Sequence, residues 1–390
     1  MTRVSDSVPG GPTTGGDHDG WCSRRRGIAR SVRGYATCGT GSGADPETWS
    51  DDVRAVQVPK AGGDFELVER DLPEPGEGEV RVTVQACGVC HSDMFAKEGV
   101  MGDATPFPIV PGHEIVGVVD ALGPGVAAEY SPGDRVGVGW FGGACYHCES
   151  CRRGDFITCA NGRIPGVTFD GGYADAVVVP ADALARVPDE LSAEDAAPLL
   201  CAGVTTFHAL RSSPARPGDR VAVLGIGGLG HLAIQFAARM GCEVVAVSRG
   251  TAKADLAKQL GAHRHIDSEA TDPGAALAEM GGATTIIATA TSGEAISALV
   301  PGLAPRGQLV VVGAAETPLT LSAMSLIGPA AQVAGHPSGT SKDSEDTLNF
   351  SRITGVRPMI ETMPLEKAAE AYEKMMVNDA RFRMVLTTGN

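Results

Sequence analysis

Asp219-Arg220-Val221-Ala222-Val223-Leu224-Gly225-Ile226-Gly227-Gly228-Leu229-Gly230 decides how this chain is read. A short apolar run predicts a buried strand, and it leads straight into glycines at Gly-x-Gly-x-x-Gly spacing. That spacing alone is a weak signal. Its context strengthens it: His231–Met240 has helical periodicity and Glu243–Val247 reads as a second buried strand, all within about 30 residues. Gly225, Gly227, Gly228, Leu229 and Gly230 then form a tight turn whose backbone can approach a pyrophosphate at a positive helix N-terminus. The alternation continues with a helix at Ala252–Leu260, a strand at Thr285–Ala290, a helix at Glu294–Val300 and a strand at Leu309–Val312. The pattern predicts an α/β fold with a doubly wound parallel sheet. The second strand ends in Ser248-Arg249-Gly250, with no carboxylate to hold a ribose 2′-OH, and Lys253 follows one helical turn later. A hydroxyl and a guanidinium suit a 2′-phosphate, so NADP(H) is expected over NAD(H).

Upstream the signal changes. Val53–Val58, Phe65–Arg70, Glu79–Gln85, Ile115–Asp120, Arg135–Val138 and Tyr173–Val179 read as short strands separated by Gly and Pro, a β-rich unit. Helical patterns at Ser192–Leu200 and Val204–Leu210 lead into the glycine region. The strand at Glu79 runs into Cys87-Gly88-Val89-Cys90-His91-Ser92-Asp93, and Pro111-Gly112-His113-Glu114 precedes the next apolar run. A Cys and a His at the ends of neighbouring strands can share a zinc ion, and a catalytic zinc keeps three protein ligands and one open position. Cys90 and His113 are two candidates, with Cys201 as the third. Equally, Cys90 can be a small buried residue and His113 a satisfied turn residue. Cys145, Cys148, Cys151 and Cys159 form Cys-x2-Cys-x2-Cys-x7-Cys in a polar loop, where packing explains four thiols poorly. Four thiolates close a tetrahedral zinc site with no open position, a structural role.

Composition narrows the function. At 390 residues the chain can build two cores, and 43% hydrophobic with 20% charged residues is ordinary for a globular protein. The net charge of −15 disfavours nucleic acid and acidic membrane partners. Ten cysteines are too few for a disulfide scaffold of this length and point to a reducing, cytoplasmic setting. Val221–Ala238 lacks formal charge but is broken by glycines, so no transmembrane helix is expected. Residues 1–50, rich in Gly, Ser, Thr and Arg, read as a disordered extension; the basic run from Arg24 to Ala36 only faintly resembles a targeting segment.

From about Val53 to Leu386 the motifs together resemble the zinc-dependent medium-chain alcohol dehydrogenases, in the branch of cinnamyl and broad-range alcohol dehydrogenases. The motifs that carry the likeness are Cys90-His91-Ser92-Asp93, Gly112-His113-Glu114, the four-cysteine loop, Leu199-Leu200-Cys201-Ala202-Gly203-Val204-Thr205 and Gly225–Gly230. The resemblance implies a GroES-like catalytic domain over residues 51–200 and 341–390, discontinuous around a Rossmann domain over residues 201–340. It implies two zinc ions, catalytic on Cys90, His113 and Cys201 and structural on Cys145, Cys148, Cys151 and Cys159. It places Glu114 behind the metal, Asp93 on the other ring nitrogen of His113, and Ser92 in a proton relay. Thr205 would touch the nicotinamide and Arg383 the pyrophosphate. Trp140 would wall the substrate pocket, with Phe95 and Phe141 adding apolar surface. Phe95 is a departure, because many relatives carry a histidine there to continue the relay, which in this chain would end at the ribose and solvent or use His91.

The implied reaction is hydride transfer between a primary alcohol or aldehyde and NADP(H), in a homo-oligomer, dimer or tetramer. Two rival readings are a zinc-altered reductase of alkenes or quinones on the same fold, separable by metal analysis, and a non-catalytic zinc-stabilised binding protein, separable by a turnover assay. His147 reads as a loop residue outside the thiolate set, His208 and His231 as packed helix residues, and His336 as a possible neighbour of the nicotinamide. Cys22, Cys38, Cys87 and Cys242 read as free thiols.

Overall fold

The computed structural model describes residues 52–126 and 128–390; the extension expected at 1–50, with Cys22 and Cys38, lies outside them. Strands β1 (Asp52–Gln57) and β2 (Glu66–Asp71) pair antiparallel as a two-stranded ribbon. Then follow β3 (Glu79–Val89), β4 (Ile115–Leu122), β5 (Arg135–Val138), β6 (Ala176–Pro180) and β7 (Ala185–Arg186). Six strands come next: β8 (Arg220–Leu224), β9 (Glu243–Ser248), β10 (Arg264–Asp267), β11 (Ala283–Ala288), β12 (Leu303–Val311) and β13 (Gln332–Gly335). The last are β14 (Ile360–Pro364) and β15 (Arg383–Thr387).

Two larger sheets result. Strands β8 to β13 form a sheet in the order β10-β9-β8-β11-β12-β13, with every pair parallel. The order reverses between β8 and β11, and sheets of this kind bind ligands outside the carboxyl ends of the strands at such a reversal. The other sheet runs β14-β15-β3-β4-β5-β7, with β6 also on β3; only β14 and β15 are parallel. Strand β15 lies antiparallel to β3, Met384 opposite Val89, which brings the far end of the chain to the Cys90 turn. One buried cluster spans both sheets, with Ala86, Val116 and Val385 meeting Leu200, Phe207, Val223 and Phe236.

Most elements lie within a few residues of their expected bounds, and the differences have physical causes. Strand β3 runs past Gln85 to Val89 because Ala86 is buried in the core that joins the two sheets while Cys87 and Val89 are buried in a second core. The helix expected at Ser192–Leu200 is α-helical only over Ala193–Ala196, and Pro198, which lacks an N–H, sits in a 3-10 segment over Ala197–Leu200. Strands β10 and β13 and the helices Pro273–Glu279 and Ser341–Thr354 were not expected. Both strands are sheet edges with few apolar residues. The helix Ser341–Thr354 did carry a signal: Thr340 caps Asp343 N–H while Asp343 accepts the Thr340 N–H at 2.9 Å, and Gly355 closes the helix at φ 75°.

Candidate active site

The register of the antiparallel sheet assembles the first cluster. Cys87 lies opposite Ile115, so the end of β3 and the start of β4 carry Cys90 and His113 side by side. Cys201 stands where the 3-10 segment turns into the helix Ala202–Ser212. The ligand atoms of Cys90, His113, Glu114 and Cys201 all lie within 4.8 Å of one another. His113 is fully buried, with Nδ1 2.8 Å from Asp93 Oδ1. Asp93 Oδ2 accepts hydrogen bonds from the Cys90 N–H at 2.9 Å and the Tyr173 hydroxyl at 2.8 Å. Tyr173, unassigned from sequence, thus steadies the carboxylate behind His113; nothing near it in the chain signals that role.

The donor chemistry fits a soft or borderline dication. His113 Nε2 is buried without a hydrogen-bond partner, an arrangement that costs free energy unless something coordinates it. The Cys90 and Cys201 sulfurs lie 3.8 Å apart, and the hydrogen bond between them holds Cys90 well below the usual thiol range and Cys201 well above it. Burial opposes a charge on His113, but Asp93 and the Cys90 thiolate raise its pKa well above the usual range. Zinc binding to such a set displaces these protons. Glu114, itself a member of the cluster, is paired with the buried Arg383, while its other carboxylate oxygen has no hydrogen-bond partner. Burial pushes its pKa up to about 7, against the pull of Arg383. Trp140 stands edge-on to His113 with ring centroids 5.0 Å apart and to Phe95 at 6.0 Å, while Phe141 is buried next in sequence. Ser92 is half-buried in the turn with Asp93.

The glycine loop follows its own steric logic. Gly225 takes φ +95°, and a Cβ on Gly230 would lie 1.9 Å from the Gly225 carbonyl oxygen, so the helix Gly230–Arg239 can start only if residue 230 is glycine. A Cβ on Gly227 would meet nothing within 4 Å, which leaves its backbone open to a ligand. A Cβ on Gly228 would lie 3.0 Å from Arg383 Nη1, so Arg383, which is paired with Glu114, packs against this loop where only a glycine leaves it room. His231 Nδ1 lies 2.9 Å from the Gly227 carbonyl and Nε2 is 3.0 Å from the Met359 N–H, an arrangement that fixes a neutral ring donating at Nδ1. Lys253 donates to the Ile226 carbonyl at 2.8 Å. Burial lowers its pKa, and the charges of Arg381 and Arg249 lower it further. Thr205 is buried, its hydroxyl 3.3 Å from Ser338 Oγ; the rings of His208 and His336 lie 5.0 Å apart nearby.

The second cysteine cluster is separate. Cys145, Cys148, Cys151 and Cys159 bring their sulfurs within 4.8 Å, and His147 is not among them. Cys159 Sγ accepts the Cys145 and Asn161 N–H groups at 3.3 and 3.4 Å. Cys87 and Cys242 are buried free thiols. Among the described residues no helix is long and apolar enough to cross a membrane.

Comparison with known proteins bears on both clusters. The family model described as alcohol dehydrogenase GroES-like domain matches residues 76–189, and the zinc-binding dehydrogenase model matches residues 228–352. The chain is 43% identical to alcohol dehydrogenase patD of Penicillium expansum over 88% of its own length and 98% of that protein's. It is 38% identical to a probable cinnamyl alcohol dehydrogenase of Oryza sativa, covering 80% of this chain and 88% of that one. A solved cinnamyl alcohol dehydrogenase of Sorghum bicolor superposes with a TM-score of 0.77 at 35% identity, covering 86% of this chain and 97% of the other.

Proposed function

The chain belongs to the medium-chain zinc alcohol dehydrogenase family, and we propose that it interconverts primary alcohols and aldehydes with NADP(H), using one catalytic and one structural zinc ion. The observation that carries the reading is His113: Nδ1 lies 2.8 Å from Asp93 Oδ1, Nε2 is buried without a hydrogen-bond partner, and the residue shares one cluster with the Cys90 and Cys201 sulfurs. Cys90, His113 and Cys201 would hold the catalytic ion, and the four cysteines from Cys145 to Cys159 the structural one. When bound, zinc supplies Lewis acidity at the substrate oxygen, and the nicotinamide gives or takes the hydride.

The protein's own groups do the rest. Asp93, itself held by Tyr173, orients His113. Glu114 places a carboxylate behind the ligands, and Arg383 offsets its charge. Trp140 and Phe95 wall the approach to His113 with apolar surface, with Phe141 behind, which favours flat or linear substrates and keeps water out. Ser92 takes the alcohol proton; with Phe95 in place of a histidine, that proton passes toward solvent or His91. Gly225–Gly230 receive the pyrophosphate, Thr205 lies along the nicotinamide, and Ser248, the exposed Arg249 and Lys253 face the adenosine ribose. The cations Arg249, Lys253 and Arg381, on a chain of net charge −15, support a 2′-phosphate in that position.

Metal analysis together with aldehyde reduction followed at the NADPH absorbance band tests the proposal. The expected result is two zinc ions per chain and turnover of aromatic and linear aldehydes. His113→Ala should lose turnover and one zinc while remaining folded. Activity in folded protein free of zinc overturns the metal assignment.

A further inference from the structure

Ser248 stands at the carboxyl end of β9, and its Oγ lies 2.9 Å from Nε2 of His265 on the neighbouring strand β10. The register sets His265 opposite Ala246 and Asp267 opposite Ser248, so the four share one face of the sheet. Asp267 is already engaged: its Oδ1 accepts the Gly250 N–H at 2.8 Å and the Glu269 N–H at 2.9 Å. The serine hydroxyl therefore has His265 as its protein partner, and a hydroxyl has one proton to place. Burial holds His265 below its usual pKa, with Asp267 opposing and Lys258 adding to the effect, so the ring is neutral near pH 7 and carries one N–H.

Two hydrogen-bond polarities are open to this pair. If Ser248 donates to Nε2, it offers a cofactor only lone pairs, which suits a ribose 2′-OH. If Nε2–H donates to Ser248, the serine proton turns outward and suits a phosphate oxygen. We propose that His265 is a positioning residue for cofactor choice, donating to Ser248 Oγ and thereby aiming the Ser248 proton at the 2′-phosphate. The proposal rests on the NADP(H) reading. A charge-assisted bond to phosphate is stronger than one to a neutral hydroxyl, so the bound cofactor itself selects this polarity.

Dissociation constants for NADPH and NADH, read from cofactor fluorescence on the zinc-loaded enzyme, test it in four proteins: wild type, His265→Leu, His265→Gln and Arg249→Ala. His265→Leu should weaken NADPH binding about five- to tenfold, the worth of one oriented hydrogen bond, and leave NADH within about twofold. His265→Gln keeps an N–H donor and should restore most of the loss, which a purely steric role would not predict. Equal weakening of both cofactors by leucine, or of neither, overturns the role of His265. Should the leucine variant fail to fold, the glutamine variant decides: a loss of NADPH preference despite its donor overturns the proposal, and retention supports it. Wild type and Arg249→Ala separate the two levels. If neither prefers NADPH, the NADP(H) reading fails; if the preference is lost in Arg249→Ala but intact in His265→Leu, only the role of His265 fails.

Discussion

Gly88 has almost no room for a side chain. A Cβ there would lie 1.9 Å from Glu114 Oε2 and 2.8 Å from its carboxyl carbon. Glu114 cannot retreat, because it is fully buried and Arg383 holds its other oxygen. Gly88→Ala should therefore cost about 1–3 kcal/mol or more and displace the acid toward the cysteine and histidine ligands. Thermal unfolding and metal stoichiometry check this: the midpoint should fall and the zinc content drop from the two proposed ions toward one, and an unchanged protein would refute it. The sequence displayed Cys90 and His113 because they flank the strongly patterned strands β3 and β4. Tyr173 and His265 were not legible as partners of Asp93 and Ser248. Their contacts span 80 and 17 residues and depend on how distant turns and neighbouring strands come together, which no local pattern records.

The loop from Cys145 to Cys159 shows the same contrast for an element. It has only one four-residue helix, Glu149–Arg152, and of its four cysteines only Cys151 is buried. Its sulfurs converge through turns and N–H···S bonds, so a metal would take the place of an apolar core. Cys148→Ser should lower the unfolding midpoint by several degrees and sharpen its dependence on chelator, while turnover per folded molecule stays near wild type. Equal melting of variant and wild type with chelator present and absent would argue against a structural ion. The spacing of these cysteines made the element readable, as strand–glycine–helix periodicity did for β8, β9 and the helix between them. Strands β10 and β13 escaped because sheet edges bury little, and a strand that buries little has no hydrophobic alternation to read.

Across the whole molecule, His231 joins the glycine loop to the segment leading into β14, bonding to the Gly227 carbonyl and the Met359 N–H. Burial brings its pKa down to about 4; the bond to Gly227 opposes this and the nearby Arg383 adds to it. An unfolded chain protonates this ring near pH 6.5, so between those values the unfolded state binds the extra proton. The contribution, about 3 kcal/mol, is complete above pH 6.5 and is lost as pH falls toward 4. Denaturant titrations of wild type and His231→Gln over that range should show the wild type losing more stability on acidification; parallel profiles would remove His231 from the account.

Met384 and Val89, neighbours across β15 and β3, leave the ribosome almost three hundred residues apart, with the whole parallel sheet made between them. That interval gives assembly an order in time. The parallel sheet can settle while synthesis continues, but the Ala86–Val89 end of β3, beyond the Glu79–Thr83 stretch that β6 covers, waits unpaired on that edge, and Glu114 waits without its counter-charge, until β15 and Arg383 emerge. Chains arrested at Ala380 should then yield a protease-resistant fragment around residues 220–335 and rapid cleavage between residues 79 and 186, whereas full-length chains should resist at both. The active site is thus among the last parts of the protein to be completed, and a nascent chain cannot become an enzyme before its final strand is in place.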